Sequence, residues 1–292
     1  MPSKPVKNES KRTLPPGTLF LVGTPIGNLS DISQRALETL RQADWIVAED
    51  TRHTRKLLSR YDIHKPLISC HGHNEIQRSG ELLEKLLDGE TLALVTDAGT
   101  PGISDPGTHL VSRALDARIP ISVIPGPTAL ILALVASGLP THPFAFLGFP
   151  PHRGANRRRF FSSHASLPMT LVLYESPKRL RRTLEDILRY WGDRPVTVAR
   201  ELTKLHEEYF RGRVGEALEH YSVEPKGEIT LVVSGFEESP GSDEGQPRWK
   251  ERLRELLLES EKGVAEASTL VAREFGLPKR IVYQEALKQK GS

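Results

Sequence analysis

Val95-Thr-Asp-Ala-Gly-Thr-Pro-Gly-Ile-Ser-Asp-Pro-Gly107 is the stretch whose reading decides the fold. It follows Leu92-Ala-Leu-Val95, an apolar run with the character of a buried strand. It precedes Leu110, Val111, Ala114 and Leu115, spaced as one face of a helix. The connection carries three Gly and two Pro. Glycine reaches positive φ and lets another group approach the main chain, while proline fixes φ. This is more backbone control than a plain turn needs. At the carboxyl end of a strand, such a loop is where open α/β sheets bind ligands. A tight turn that holds nothing is the competing reading.

The construction occurs twice more. Leu19-Phe-Leu-Val22 runs into Gly23-Thr-Pro-Ile-Gly-Asn28, and a helical pattern starts near Ser30-Asp31. Ile121-Ser-Val-Ile124 runs into Pro125-Gly-Pro-Thr128, followed by the apolar helix from Ala129 to Ser137. In a parallel sheet the three loops share one edge and can line one pocket with N–H groups, carbonyls and Thr hydroxyls. Strands are expected at 19–22, 45–48, 92–95 and 121–124, with helices at 31–43, 51–59, 75–88, 108–117 and 128–137. That alternation predicts an α/β fold, a parallel sheet with helices on both faces.

Gly138-Leu-Pro-Thr-His-Pro143 interrupts the alternation. We therefore divide the chain into a first α/β domain at 17–140 and a second at 144–236. The second has strands near 144–149, 169–174, 196–199, 208–211 and 229–234, and more strands per helix, so a mixed sheet is expected. Its best-marked helix starts at Ser176 as N-cap with Pro177 in the first turn. Leu180, Leu184, Ile187, Leu188 and Trp191 form its stripe, and Gly192 stops it. Residues 1–16 read as a disordered polar tail and 237–248 as a linker. Helical patterns at 249–261, 264–275 and 279–288 form a small module, whose break at Gly276-Leu-Pro278 resembles the turn of a helix-turn-helix.

The 292 residues are 38% hydrophobic and 26% charged, as in a soluble globular protein. No run of 18 apolar residues occurs, so no membrane partner is expected. The single Cys70 excludes an internal disulfide and suits the cytoplasm. The net charge of +3 is unevenly placed. Residues 1–149 carry 15 Lys/Arg and 15 Asp/Glu, residues 150–213 carry 14 and 7, and residues 214–292 carry 11 and 15. The positive segment contains Arg153, Arg157, Arg158 and Arg159, then Lys178, Arg179, Arg181 and Arg182. Arg pairs bidentately with phosphate, and clusters of it can follow a nucleic-acid backbone. Solvated helix faces are the plainer explanation of each cluster alone.

Glu49-Asp-Thr-Arg-His-Thr-Arg55 follows a strand. Its Asp50 and Arg52 suit proton or phosphate handling, or simply the start of a helix. Cys70-His-Gly-His-Asn-Glu75 lacks a second pair of ligands for a structural zinc, so no metal is expected, and Asn74 reads as a helix cap. The glycine loops match neither the dinucleotide nor the P-loop fingerprint.

Taken in order, VGTPIGNLSDIS, AEDTRHT, HNE, VTDAGTPGISDPG, VIPGPTA, FLGFPP, YESPKRL, VARELTKLHEE and GEITLVV resemble the tetrapyrrole methylase family of S-adenosylmethionine-dependent enzymes, over roughly residues 18–235. The likeness is strongest to its branch that 2′-O-methylates a cytidine in the decoding region of small-subunit (16S) ribosomal RNA. It implies two α/β domains with the cofactor between them, a homodimer, and bare ribosomal RNA or the assembled small subunit as partner. It implies cofactor contacts from Pro25, Gly99, Thr100, Ile103, Thr128 and Ala129, and from Tyr174, Leu202 and Thr230 across the cleft. S-adenosylmethionine has no pyrophosphate, which accounts for the missing phosphate motif. A ribose hydroxyl needs a base or a polarising cation. Asp50, Glu175 and Glu201 are candidates, with Arg52 and Lys204 as electrostatic helpers. Arg153, Arg157, Arg158, Arg159, Lys178 and Arg179 are the candidate RNA contacts. A methyltransferase acting on a small tetrapyrrole and a non-catalytic RNA binder remain as alternatives.

Overall fold

The structure, a computed structural model, describes residues 14–72, 74–237, 248–259 and 263–290. The expected tail and linker fall largely on residues 1–13 and 238–247, outside the described residues.

The first half runs β1 (Leu19–Val22), α1 (Gln34–Gln42), β2 (Trp45–Ala48), α2 (Thr51–Arg60), β3 (Leu67–Ser69), α3 (Glu75–Leu87), β4 (Leu92–Val95), α4 (Thr108–Asp116), β5 (Ile121–Ile124) and α5 (Ala129–Ala136). Its five strands are all parallel, in the order β3-β2-β4-β1-β5. β4 lies inside the sheet and all four of its residues are buried, as an uninterrupted apolar run requires. Ala93 and Val95 pack with Leu40 of α1 and Leu58 of α2, while Leu92 and Leu94 pack with Leu82 of α3 and Leu110 of α4. The period-two alternation of one strand thus serves two helical layers.

The second half runs β6 (Phe144–Phe146), α6 (Gly154–His164), β7 (Thr170–Glu175), α7 (Pro177–Trp191), β8 (Pro195–Arg200), β9 (Glu208–Arg213), α8 (Val214–His220) and β10 (Ile229–Val233). Its sheet is mixed, in the order β6-β7-β10-β8-β9, with only β6 and β7 parallel. Leu130, Ala133 and Leu134 of α5 pack on Val172, Ala199 and Val232 of this sheet.

Both sheets fall in one compact unit. A second unit holds residues 162–168 and the chain from Phe236 onward, including α9 (Arg248–Glu259), α10 (Val264–Phe275) and α11 (Lys279–Lys290). Leu253, Ala267, Val271, Val282 and Ala286 make the core of these three helices.

Three elements lie outside the expected pattern. β3 is too short, at three residues, to show alternation. α8 has seven residues, two turns at most. α6 buries Arg157 and Phe161, so its inward face includes a charged residue that a hydrophobic pattern misses. Two expected caps also take other forms. The Ser176 and Asn74 side chains do not cap their helices. Asn74 instead accepts from the His71 N–H at 2.8 Å, closing the loop before α3.

Candidate active site

β1 and β4 are neighbours whose onward connections leave in opposite directions, towards β2 and β5. This is the switch point at which open α/β sheets form a crevice. The three Gly/Pro loops meet here. The Thr24 N–H donates to the Gly99 carbonyl (2.9 Å), and the Gly99 N–H donates back to Thr24 (3.1 Å). The Thr24 hydroxyl adds a bond to the Thr96 carbonyl at 3.2 Å. Thr100 and Thr128 join the β4 and β5 loops through their hydroxyls, 3.1 Å apart. Gly23 and Gly126 touch backbone to backbone: a Cβ on Gly23 would lie 2.7 Å from the Gly126 Cα. Gly99 itself sits at φ +85°, a conformation that favours glycine.

A buried carboxylate holds the long loop from behind. Glu75 Oε1 accepts from the N–H groups of Gly107 (3.0 Å), His109 (2.8 Å) and Leu110 (3.4 Å). Those are first-turn donors of α4, whose N-cap is Gly107 and has no side chain to serve them. The first residue of α3 therefore caps α4 and anchors the end of the Thr96–Gly107 loop. The second sheet does the same for α5, where the Tyr174 hydroxyl accepts from the Leu130 N–H at 3.3 Å. Burial pushes the Tyr174 phenol up from its ordinary pKa.

Between these parts lies a pocket of about 440 Å³, within the range of small-molecule sites. The first sheet contributes Ile26, Glu49, residues 97–100, residues 103–105, Thr128 and Ala129. The second contributes Phe149, residues 174–177, Leu202 and residues 227–230. Gly99, Thr100, Ile103, Thr128, Ala129, Tyr174, Leu202 and Thr230, expected at the cofactor, are all brought together here. Pro25 is not in the lining; its neighbour Ile26 takes that place.

The candidate catalytic residues divide. Glu175 lines the pocket, yet its carboxylate is engaged by Thr183 Oγ1 (2.5 Å), the Ser176 N–H (2.8 Å) and Arg179 Nε (3.1 Å). It orders the start of α7. Asp50 caps α2 through the Arg52 N–H (2.8 Å) and pairs with the Arg52 guanidinium (3.2 Å). Arg52 holds the Asp50 carboxyl below its usual pKa, and neither residue lines the pocket. Lys204 bridges Glu201 (2.8 Å) and Glu228 (3.0 Å). Of these three only Glu228 lines the pocket, so the Lys204 network sits at its rim. Glu201 and Thr203 hold positive φ, +53° and +67°. Thr203 Oγ1 accepts from the Asn28 N–H at 3.1 Å, tying this rim to the β1 loop.

Sequence reasoning passed over the acidic wall of the pocket, Glu49, Asp97 and Asp105. Burial, then the charge of Glu49, pushes the Asp105 pKa up to about 6. Burial and Asp97 raise Glu49 as well. The signal was present: Glu49 follows β2 directly and Asp97 follows β4 after one residue, on the edge where ligands bind. Among the described residues no group of His, Cys, Asp or Glu is arranged to hold a metal.

Two of the six arginine and lysine positions expected at RNA are corrected. Arg157 is 3% exposed and bonds Asp186 (2.6 Å), the Pro151 carbonyl (3.0 Å) and Thr183 (2.9 Å). It is an internal strut between α6 and α7. Arg179 is spent on Glu175, the Pro150 carbonyl and His152. Arg153, Arg158, Arg159 and Lys178 are exposed.

Residues 18–218 match the model of the tetrapyrrole (corrin/porphyrin) methylases. The chain belongs to the tetrapyrrole methylase family. A relative from Synechocystis sp. named ribosomal RNA small subunit methyltransferase I is 46% identical, over 93% of this chain and 98% of that protein. A relative of the same name from Thermotoga maritima is 51% identical, over 76% of this chain and 100% of that protein. Solved structures share the tetrapyrrole methylase fold. A diphthine synthase superposes with a TM-score of 0.58 at 15% identity, over 74% of this chain and 89% of that one. The uroporphyrin-III-C-methyltransferase from Thermus thermophilus gives 0.53 at 24%, over 75% and 94%.

Proposed function

We propose that this chain is an S-adenosylmethionine-dependent methyltransferase of small-subunit ribosomal RNA that modifies the 2′-oxygen of a cytidine ribose. The observation that carries the reading is an acid-walled pocket at the switch point of a chain that aligns along nearly its whole length with ribosomal RNA methyltransferases. The pocket's residues fit the methyl donor. S-adenosylmethionine, when bound, supplies an electrophilic methyl group on a cationic sulfonium. Glu49, Asp97 and Asp105 offer negative charge to such a cation, and Ile26, Ile103 and Leu202 offer apolar surface to the rest of the molecule. Thr100, Thr128 and the loop backbone supply polar contacts that fix orientation. The apolar walls strengthen electrostatic attraction inside the pocket and also raise Asp105.

Asp105 is the group we assign as general base. At about 6 its pKa is still low enough to leave it mostly ionised at neutral pH, and high enough to make it a better proton acceptor than an ordinary carboxylate. The three stitched loops hold the reacting groups in register, which is the main contribution a protein makes to a displacement reaction. Arg153, Arg158, Arg159 and Lys178 would hold the RNA backbone by charge. Ile131 and Val135 of α5 and Val123 of β5 are exposed apolar residues, 45%, 63% and 53% accessible, and they support a homodimer through that side of the first sheet. A substrate of this kind implies a cytoplasmic protein.

Calorimetric titration with S-adenosylmethionine and S-adenosylhomocysteine tests the pocket. Mass mapping of small-subunit RNA after incubation tests the substrate and the ribose position, and light scattering tests the dimer. Cofactor binding with no methyl transfer to either bare RNA or assembled subunits would remove the RNA reading and restore the small-molecule alternative.

A further inference from the structure

We propose that the outward face of α11 is a second ribosomal-RNA contact, resting on the reading of the chain as a methyltransferase of that RNA. The helical module α9–α11 lies outside residues 18–218, the part matched by the family model. The Thermotoga relative aligns over its full length with only 76% of this chain, so chemistry of that name does not need the whole of it.

Charge separates sharply along the C-terminal third. Residues 214–247 carry one Lys/Arg and eight Asp/Glu, whereas residues 248–290 carry ten and seven. The module is therefore positive, and the acidic balance of the last 79 residues comes from the segment before it. Several of the module's acids are used internally. Arg252 pairs with Glu255 (2.9 Å) and Glu274 (3.7 Å), and Lys250 pairs with Glu285 (3.5 Å). Glu285 is the single acid of α11.

With Val282 and Ala286 buried against the other helices, α11 exposes two rows at spacing i, i+4, i+8. One is Lys279, Tyr283 and Leu287; the other is Arg280, Gln284 and Lys288. No acid interrupts them. Arg and Lys hold phosphates, Gln and Arg hydrogen-bond base edges, and a half-exposed Tyr offers a face on which an unstacked base can lie. Ile281 is exposed on the same face, beside Arg280. The turn into α11 is tight: Gly276 takes φ +68° and the Leu277 N–H closes on the Ala272 carbonyl at 2.9 Å. That turn presents α11 as the second helix of a helix-turn-helix pair, the one that contacts nucleic acid in such motifs.

The test uses the full chain carrying Lys279→Glu with Arg280→Glu, and separately Gln284→Ala. Both variants change exposed side chains, and circular dichroism and melting confirm that the fold is kept. Binding to unmodified small-subunit RNA is measured against salt, alongside KM, kcat and S-adenosylmethionine affinity. The charge reversal should weaken RNA binding and raise KM roughly ten-fold, and lower the salt slope by about 1.4, two phosphates at about 0.7 each. It should leave kcat and cofactor affinity unchanged. Gln284→Ala should weaken binding with the slope intact. Wild-type affinity and slope in the charge-reversed chain would overturn the proposal, as would tighter binding of duplex DNA than of RNA by the wild-type chain. Absence of methyl transfer by the wild-type chain would count against the activity alone, because the binding comparison still decides the face.

Discussion

The two sheets reach one pocket by different means. The parallel sheet builds its side from main chain: Gly23 against Gly126, Gly99 at positive φ, and Thr24 and Gly99 exchanging N–H···O bonds. The mixed sheet builds its side from side chains: Tyr174 caps α5 across the pocket, and Glu175 is fixed by Arg179 and Thr183. Main-chain construction tolerates almost no added atom. Side-chain construction can relax, at a graded cost.

The comparison breaks most sharply at Gly126. Gly126→Val places a Cβ 2.8 Å from the Gly23 backbone, so the β1 and β5 loops must separate. Cofactor binding should fall below detection by calorimetry. Retained micromolar affinity in a folded Gly126→Val chain would show that the loops do not form the site.

Asp105→Asn should lower kcat by about 10²–10⁴-fold, the usual worth of a positioned base. In the wild type, kcat should decline as pH falls through about 6, and the variant should lose that limb. Stability should move the other way. Because folding raises this pKa, its contribution is fully present below the unfolded value of 3.8 and is lost as pH rises through about 6. At pH 8 the Asn variant should therefore melt higher than wild type. An unaltered pH–rate profile would move the base elsewhere.

Neighbouring arginines sharpen the contrast further. Arg157→Ala empties a buried position between α6 and α7 and leaves the half-buried Asp186 unpaired; it should cost about 3 kcal/mol of stability, without altering the salt dependence of RNA binding. Arg158→Glu with Arg159→Glu should instead flatten the salt slope of RNA binding. Identical behaviour of the two variants in both assays would erase the distinction between strut and contact.

The smallest effect is expected at Glu75. Glu75→Gln keeps an acceptor for the α4 N–H groups but removes the charge, and should cost about 1–2 kcal/mol in stability with a modest rise in cofactor Kd. Glu75→Ala leaves those donors unserved and should cost more. Equal cofactor affinity in wild type and Glu75→Ala would mean that the anchor does not reach the pocket.

Much of the site was legible because its requirements are local. A loop that must take positive φ, or let another backbone touch it, has to use Gly. The three such loops could be marked at 23–28, 96–107 and 125–128 before any contact was known. Strands β1, β2, β4 and β5 were legible for a similar reason, since each is a short apolar run between turn signals. The arginine segment was legible only as composition. One-dimensional spacing gives Arg157 and Arg158 the same standing, and only the packing of α6 on α7 turns the first inward and the second out.

The chain's own sequence determined the α/β class, the ligand edge and the glycine-built wall, because propensity, apolar period and φ preference act within a few residues of one another. Tertiary structure alone decided which carboxylates matter. Glu49 lies far along the chain from Asp97 and Asp105, and only strand order brings the three around one pocket, where Glu49 and Asp105 act on each other. Glu175 is tied to α7 only once Arg179 and Thr183 close around it. A pKa depends on burial and on charges several ångströms away, and those distances exist only once the sheets are folded.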